Sequence, residues 1–152
     1  MQSMDNVDYA ILRLLQEDAS LPVTEIARHV NLSQTPTWRR IQKREREGVI
    51  TRKVALLDPA KIARDIAVFV DIETADHSPA WLQTFSEAVA DMPQVMEVYR
   101  MAGEIDYTLR ISVGSMADFD AFYLALLEAV PLKNVTSRFA MERVKYTTAF
   151  PI

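Results

Sequence analysis

The chain has 152 residues, of which 49% are hydrophobic and 25% are charged, which is enough for one globular domain or two small ones. It contains no Cys, two His and three Gly, which excludes disulfide frameworks, thiolate nucleophiles, Cys/His zinc sites and glycine-rich phosphate loops. The formal net charge of −4 conceals a basic segment, residues 39–53, with seven Lys or Arg and two Glu. Because duplex DNA is densely negative, this segment is a candidate phosphate-contacting surface, with a solvated helical face as the alternative.

The chain shows no targeting signal. Its first residues, MQSMDNVDYA, lack the basic and apolar regions of a secretory signal, and no apolar run approaches the ~18 residues of a membrane span. We therefore expect a soluble cytoplasmic protein without metal or cofactor.

Three helices are predicted in the first 48 residues. Apolar residues at helical spacing predict a first helix from Asp5 or Asn6 to about Asp18, and residues 23–30 predict a second. A third begins after Ser33, a good N-cap, with Pro36 in its first turn, and Gly48 ends it. The tight connection at residues 31–33 makes the last two helices a helix-turn-helix, whose second helix enters the major groove of DNA.

The docking geometry of this motif selects candidate DNA contacts. Residues early in the recognition helix reach base edges and those one turn later reach phosphates, while the helix N-terminus can also hold a phosphate. Each residue has a structural alternative: Ser33 as a cap, Trp38 as core, and the two threonines as merely tolerated in the first turn. The predicted base contacts are Gln34, Thr35, Thr37 and Trp38, and the predicted phosphate contacts are Ser33, Arg39, Arg40 and Lys43.

An extended segment follows the third helix. Residues 49–57 alternate enough to suggest a strand or wing that presents Arg52 and Lys53 to DNA. Pro59 then breaks the pattern. We therefore predict two domains, residues 1–59 and residues 60–152.

The second domain has the order strand, helix, strand, strand, helix, strand. Strands are predicted at 66–73, 95–101, 106–113 and about 136–144, and the helices begin after Ser78 and Ser115. This order is typical of the ferredoxin-like fold, so the fold class is α+β: a helix-turn-helix followed by a four-stranded antiparallel sheet with both helices on one face.

The other sheet face has no covering helix in this fold. Ala67, Phe69, Val98 or Tyr99, and Phe139 or Met141 are expected to contribute to it. An apolar open face needs a partner, and a two-fold dimer suits a helix-turn-helix that reads two half-sites.

The chain resembles the Lrp/AsnC family of bacterial and archaeal transcription regulators over essentially its whole length. The most specific matches are D-x-x-D-x-x-I-L-x-x-L-Q at Asp5–Gln16, L-S-x-T-P at Leu32–Pro36, G-V-I at Gly48–Ile50 and G-x-x-D-Y at Gly103–Tyr107. The resemblance implies a winged helix-turn-helix joined to a ferredoxin-like domain that binds a small effector, usually an amino acid, in dimers that often assemble into tetramers or octamers.

The resemblance also implies an effector site near the G-x-x-D motif, at the junction between dimers. An amino acid needs an acceptor for its ammonium and N–H donors for its carboxylate, which an aspartate and a glycine turn supply; the alternative is that both only shape the turn. The implied effector residues are Gly103 and Asp106, then Met101, Ala102 and Glu104 on the same turn, and Thr136 or Ser137 on the last strand.

The chain departs from the family pattern at two places. Arg44 stands where an apolar residue, commonly Leu, is usual, so we expect a weaker local core unless its stem packs and its charged head reaches water. The glycine usual near the start of the effector domain is replaced, with Ala63 and Arg64 in that region.

Three functions remain possible from the sequence. The first is a sequence-specific DNA-binding regulator that responds to an amino acid. The second is an architectural DNA-binding protein with no effector. The third and least supported is an enzyme using Glu104, Asp106 and Tyr107, since no nucleophile, metal set or cofactor loop accompanies them; we predict that the chain is not an enzyme.

Overall fold

The computed structural model describes residues 4–152 and contains two compact units. One unit holds the residues up to Leu56 together with Val144–Ile152, and the other spans Leu57–Arg143. The segment 144–152, assigned by the predicted boundary to the second domain, thus belongs with the first unit. The Gln16 amide explains this placement, because its Nε2 donates to the Phe150 carbonyl at 2.8 Å and its Oε1 accepts from the Phe150 N–H at 2.9 Å.

The first unit, called here the helical unit, contains the three predicted helices: α1 (Asn6–Glu17), α2 (Val23–His29) and α3 (Gln34–Arg46). Asp5 caps α1 in a capping box, in which its side chain accepts from the Asp8 N–H and the Asp8 side chain accepts from the Asp5 N–H. The core forms where the apolar faces of the helices meet, around buried Ile11, Ile26 and Ile41.

Gly48 ends α3 as predicted. Its φ of 72° lies in the left-handed region that glycine adopts without steric cost, and its N–H donates to the Glu45 carbonyl at 3.1 Å. The strand predicted as one possibility for the extended segment 49–57 is wrong, because residues 51–58 carry no strand in the structure. A strand needs a hydrogen-bonded neighbour, and the four strands of the described chain pair only with one another.

The second unit, called here the sheet unit, confirms the predicted ferredoxin-like topology. Four antiparallel strands lie in the order β2-β3-β1-β4, and a short 3₁₀ helix at Pro59–Ile62 precedes them. The elements in chain order are β1 (Ile66–Glu73), α4 (Pro79–Ala90), β2 (Val95–Arg100), β3 (Tyr107–Val113), α5 (Met116–Ala129) and β4 (Asn134–Phe139).

The core of the sheet unit lies between the sheet and its two helices. Alternate residues of β1 and β3 point toward the helices and are buried, which produces the period of two seen in the sequence. An aromatic group completes the core: Phe85 stacks on Trp81 with ring centroids 5.0 Å apart and lies 4.8 Å from Tyr107. Both helices begin with a serine N-cap, as predicted.

The last strand ends earlier than predicted. β4 stops at Phe139, which pairs with Val68, and the Ala140 N–H makes a last bond to the Ala67 carbonyl at 2.9 Å. Because β1 begins at Ile66, residues beyond 140 have no partner on that strand.

The open sheet face differs in part from the predicted one. Phe139 packs against Phe119 of α5, with ring centroids 4.9 Å apart, so it lies on the helix side of the sheet. Val98 pairs with buried Leu109 and shares its side, which leaves Tyr99 on the open face. Phe69 is also on this face and is 39% exposed. The same face also carries two ion pairs, Arg110 with Glu97 and Arg138 with Asp71. The open face is therefore mixed rather than purely apolar.

Ala63 shows why a glycine suits the start of the sheet unit. Its φ of 52° and ψ of 52° are left-handed, a conformation that costs an L residue about 1–2 kcal/mol. The Ala63 carbonyl faces Gly114, where an added Cβ would lie 2.4 Å from the oxygen. The replacement of the usual glycine therefore keeps the turn but strains it.

Candidate DNA interface and effector turn

The recognition helix α3 begins without a side-chain cap. Ser33 occupies the N-cap position, but its hydroxyl makes no capping hydrogen bond, so its predicted role as a cap is wrong. The Thr37 hydroxyl instead donates to the Ser33 carbonyl at 3.0 Å. Ser33 is exposed, so its hydroxyl and the first N–H groups of α3 face solvent, where a phosphate can reach them.

One face of α3 is exposed and basic. Trp38 is 51% exposed, so it is not a core residue, and the alternative of partly buried packing is open beside a role at DNA. Arg39 and Arg46 are exposed seven residues apart, two turns along the same face, and neither has a charged partner within residues 4–152. Arg46 was not among the predicted DNA contacts, although its spacing from Arg39 was readable in the sequence. We call this surface the basic face; it comprises Gln34, Thr35, Trp38, Arg39 and Arg46.

Thr37 does not belong to the basic face. Its side chain is fully buried, at 0% exposure, between Ser33 and Ile41 on the inner side of the helix. A base edge cannot reach it, so the prediction that Thr37 reads a base is wrong. The helical period explains the error, since a one-residue step rotates the side chain by about 100°, from the exposed Trp38 to the buried side.

The two predicted lysines have carboxylate partners. Lys43 lies 4.0 Å from Glu47, and Lys53 lies 2.9 Å from Glu45. Arg52 is exposed on the segment after α3 and has no charged partner among the residues that the structure describes. These contacts reduce the positive charge that the two lysines present.

Arg40 is held by two carboxylates of the α1 N-terminus. Its Nη1 lies 2.9 Å from Asp5 and 2.8 Å from Asp8. The hydrogen bond to Asp8, and to a smaller extent the one to Asp5, raises the pKa of the Arg40 guanidinium above its ordinary value. The hydrogen bond from the Asp8 backbone N–H lowers the pKa of the Asp5 carboxyl, and Arg40 lowers it further. The prediction of Arg40 as a simple phosphate contact therefore needs revision, because the charge is already shared.

Arg44 is buried, so its charged head does not reach water, the condition under which the sequence predicted an undisturbed local core. Its side chain is 4% exposed, and its Nη2 lies 2.9 Å from Asp8 while its Nη1 lies 2.5 Å from Glu47. Asp8 is equally buried, at 3% side-chain exposure. The Nε of Arg44 has no hydrogen-bond partner among residues 4–152. Arg44, the residue that departs from the family pattern, is thus a buried charge that Asp8 and Glu47 compensate.

The G-x-x-D motif forms the turn between β2 and β3. The Met101 N–H donates to the Asp106 carbonyl at 2.8 Å, and Gly103 has a φ of 123°, a conformation that favours glycine. Gly103 therefore has a structural role whatever it binds. Met101, Ala102, Gly103 and Glu104 are all exposed on this turn.

Asp106 connects the turn to the segment after β1. Its Oδ2 accepts from the Thr74 N–H at 2.8 Å, and its backbone N–H donates to the Ile72 carbonyl at 3.0 Å. Its Oδ1 lies 3.8 Å from Nδ1 of His77, a residue that the sequence did not connect with this site. One carboxylate oxygen thus supports the fold, and the other faces a half-open space beside His77.

The two β4 candidates point to opposite sides of the sheet. Ser137 pairs with buried Val70 on the helix side, and its hydroxyl is buried without a partner, whereas Thr136 pairs with Asp71 on the open face. Asp106 directly precedes β3 and Thr136 lies on β4, and β1 lies between these two strands. Two strand spacings, about 10 Å, therefore separate β3 from β4. The predicted effector residues therefore do not converge on one pocket within a single chain.

A groove lies elsewhere, between α4 and the edge strand β2. It has a volume of ≈ 490 Å³ and includes none of the predicted effector residues. Leu82, Phe85 and Val89 line one wall, and Met96, Val98 and Arg100 line the other.

Comparison with known proteins identifies the chain. Residues 4–43 match the AsnC-type helix-turn-helix domain, and residues 67–150 match the Lrp/AsnC ligand binding domain. The chain belongs to the Lrp/AsnC family. It is therefore a DNA-binding transcriptional regulator with a ligand-binding domain.

Related proteins agree along their full length. The DNA-binding transcriptional activator DecR of Escherichia coli is 46% identical over 150 residues, covering 98% of this chain and 99% of DecR. The crystal structure of an AsnC family transcriptional regulator from Agrobacterium tumefaciens has a TM-score of 0.94 and 53% identity, covering 97% of both chains. A Neisseria meningitidis transcriptional regulator, solved as a complex with L-Met, has a TM-score of 0.93 and 29% identity, covering 98% of this chain and 97% of that one.

The described residues hold neither a cluster of metal ligands nor a membrane-spanning helix. Residues 4–152 contain no group of three or more metal-ligating side chains placed to hold an ion. Among the same residues, no helix is long and apolar enough to cross a membrane.

Proposed function

We propose that this Lrp/AsnC regulator binds duplex DNA through the basic face of α3. The observation that carries the proposal is the pair of exposed arginines, Arg39 and Arg46, which have no carboxylate to neutralise them in residues 4–152. Cations of this kind supply affinity for phosphates, whereas side chains early in the helix discriminate bases. Gln34, Thr35 and Trp38 are the proposed base contacts, with Ser33, Arg52 and, more weakly, Lys43 and Lys53 at phosphates.

Salt dependence tests the assignment of the arginines. The affinity for a fluorescein-labelled random 30-bp duplex is measured by anisotropy from 50 to 250 mM KCl (about a fivefold range) for the parent, Arg39→Ala and Arg46→Ala. Each lost phosphate contact is expected to lower the slope of log K against log salt by about 0.9. Arg28→Ala is the matched control, because Arg28 is an exposed α2 arginine paired with Glu25 at 3.4 Å. Unchanged slopes for both α3 variants would refute the interface.

We also propose that the effector is an amino acid whose ammonium binds Asp106. The L-Met complex of the Neisseria relative supports this ligand class, and the Oδ1 of Asp106 is not used by the Thr74 N–H. Because Thr136 lies across β1 from the Asp106 turn, we infer that a second subunit completes the site. In this proposal Met101, Ala102, Gly103 and Glu104 form the turn against the ligand. Ser137 is not included, because its hydroxyl faces the helix layer.

A thermal-shift panel of the twenty amino acids tests the effector proposal, since a ligand that binds only the folded state raises its stability. Asp106→Asn retains an oxygen to accept from Thr74 but loses the charge, so any shift seen in the parent should disappear. Asp120→Asn, on the exposed surface of α5, is the control. A parent that responds to none of the twenty would favour the architectural alternative, in which DNA binding has no effector.

The oligomeric state and the cellular compartment are further parts of this proposal. We propose a dimer through the open sheet face, where Phe69 and Tyr99 are exposed, and further assembly between dimers. Phe69→Lys should reduce the mass measured by light scattering, because it disrupts the contact between the two subunits of a dimer. Regulation of transcription places the protein with the chromosome, so the cytoplasm remains our prediction.

We propose no catalytic role, because Tyr107 is buried in the aromatic group and Asp106 supports a turn.

A further inference from the structure

Two arginines share one buried carboxylate at the junction of α1 and α3. The Oδ1 of Asp8 accepts from Nη1 of Arg40 at 2.8 Å, and its Oδ2 accepts from Nη2 of Arg44 at 2.9 Å. Asp8 therefore has a cation on each oxygen. Asp5 also pairs with Arg40 and Glu47 with Arg44, but both of these carboxylates reach solvent. Asp8 is buried, and one cation is sufficient to neutralise it.

The two arginines differ in their access to solvent. The side chain of Arg44 is 4% exposed, whereas that of Arg40 is 33% exposed. The second partner of Arg40 is Asp5, whose side chain is 53% exposed. If Arg40 turns toward another anion, Asp5 is left in water, where an unpaired charge costs little, and Asp8 remains paired with Arg44.

Arg40 also has donors to offer. All three of its hydrogen bonds use Nη1, so Nε and Nη2 have no protein acceptor within residues 4–152. The Nε and Nη2 edge of a guanidinium binds a phosphate in a bidentate manner. Arg40 directly follows Arg39 of the basic face, on the flank of α3 that faces α1.

We propose that Arg44 neutralises Asp8 and thereby makes the charge of Arg40 available to a DNA phosphate. Arg44 is in this sense a positioning residue, since it is buried and acts through Asp8. Without Arg44, Asp8 would require the charge of Arg40, because an unpaired buried carboxylate is strongly unfavourable. The inference rests on the proposed binding of DNA by α3.

A double-mutant cycle tests the proposal with the duplex and salt series described above. In the parent background, Arg40→Ala should lower the salt slope by about 0.9. Arg44→Leu should lower it by the same amount, because Arg40 is then committed to Asp8. In the Arg44→Leu background, Arg40→Ala should leave the slope unchanged. An equal effect of Arg40→Ala in both backgrounds, or no effect in either, would overturn the proposal.

Two further variants separate the proposal from a general loss of structure. Arg44→Lys keeps the charge beside Asp8 and should keep the slope of the parent. Asp8→Asn added to Arg44→Leu removes the carboxylate that captures Arg40, and should restore the slope that Arg44→Leu lowers. If Arg44→Leu does not fold, as judged by circular dichroism, the pair of Arg44→Lys and Asp8→Asn/Arg44→Leu is compared directly, and unequal slopes overturn the proposal.

Arg39→Ala distinguishes failure of this inference from failure of the proposed interface. If Arg39→Ala lowers the slope while the effect of Arg40→Ala does not depend on residue 44, only the role of Arg44 is wrong. If Arg39→Ala and Arg46→Ala both leave the slope unchanged, α3 does not hold phosphates and both proposals fail.

Discussion

The helical unit encloses a small cluster of three buried isoleucines beside a buried Asp8 and Arg44, whereas the sheet unit encloses a cluster of thirteen buried apolar or aromatic residues. The stabilisation gained by apolar burial does not depend on charged groups. Removing one partner of a buried ion pair, in contrast, strongly destabilises the folded protein. The two units should therefore respond to different substitutions: loss of side-chain volume in the sheet unit, and loss of a buried charge in the helical unit.

The largest effect is expected in the aromatic group of the sheet unit. Phe85→Ala removes a side chain that is 1% exposed and lies against Trp81 and Tyr107, so it should cost about 4 kcal/mol of unfolding free energy. Urea unfolding at pH 5 and pH 8 (roughly the span of maximal stability) measures the loss, which should be the same at both. A loss that differs strongly between the two would contradict the apolar origin.

Removal of the buried charge should affect the helical unit almost as strongly. Asp8→Asn leaves Arg44 with Glu47 alone, and we expect a loss of about 3 kcal/mol, localised by hydrogen exchange to α1 and α3. Asp71→Asn is the matched control in the sheet unit: Asp71 is 5% exposed but its partner Arg138 is 65% exposed and can return to water, so the loss should be about 1 kcal/mol. Equal losses would remove the proposed contrast.

The segment 144–152 is bonded to α1 by Gln16 and by Arg13, whose Nε donates to the Ile152 carbonyl at 2.5 Å. Gln16→Ala removes both hydrogen bonds to Phe150, and we expect about 1 kcal/mol less protection of that segment from hydrogen exchange. Gln83→Ala, on the exposed side of α4 and bonded to Glu87, controls for loss of a surface amide. Unchanged exchange at residues 144–152 would show that other contacts hold the segment.

A glycine at residue 63 should stabilise the sheet unit. Ala63→Gly relieves the left-handed strain, and after the greater entropy of glycine in the unfolded chain is subtracted we expect a gain of about 0.5 kcal/mol. Ala60→Gly, in the 3₁₀ turn, has no such strain to relieve and should destabilise. Thermal unfolding compares the two variants, and a loss in both would argue that strain at Ala63 is negligible.

The smallest effect concerns acid stability of the helical unit. The Asp8 N–H and Arg40 lower the pKa of Asp5 below 3.8, so the folded state binds this proton more weakly than the unfolded state does. The stabilisation is present above pH 3.8 and is lost as the pH falls through the lower folded pKa. Asp5→Asn keeps a capping oxygen, so melting temperatures from about pH 6 to pH 2 should fall less steeply than in the parent. Identical acid profiles would exclude Asp5.

Several features were readable from the sequence because they depend on local periodicity and chain geometry. The three helices, the glycine stop at Gly48 and the order of strands and helices follow from spacing, caps and turn residues. The predicted strand at 49–57 failed because local alternation cannot supply a partner strand. The last strand was placed too late for a related reason, since its end depends on where β1 begins.

The candidate sites divide in the same way. Composition and spacing predicted a basic recognition helix and a turn at Gly103, because these are properties of consecutive residues, and the family resemblance implied that this turn binds an effector. Which arginines are available to DNA depended on contacts between residues more than 30 positions apart, such as Arg40 and Arg44 with Asp8. Only the tertiary structure decided that Thr37 is inside, that Arg46 is free and that Ser137 faces the helices, because burial and ion pairing arise when distant segments meet.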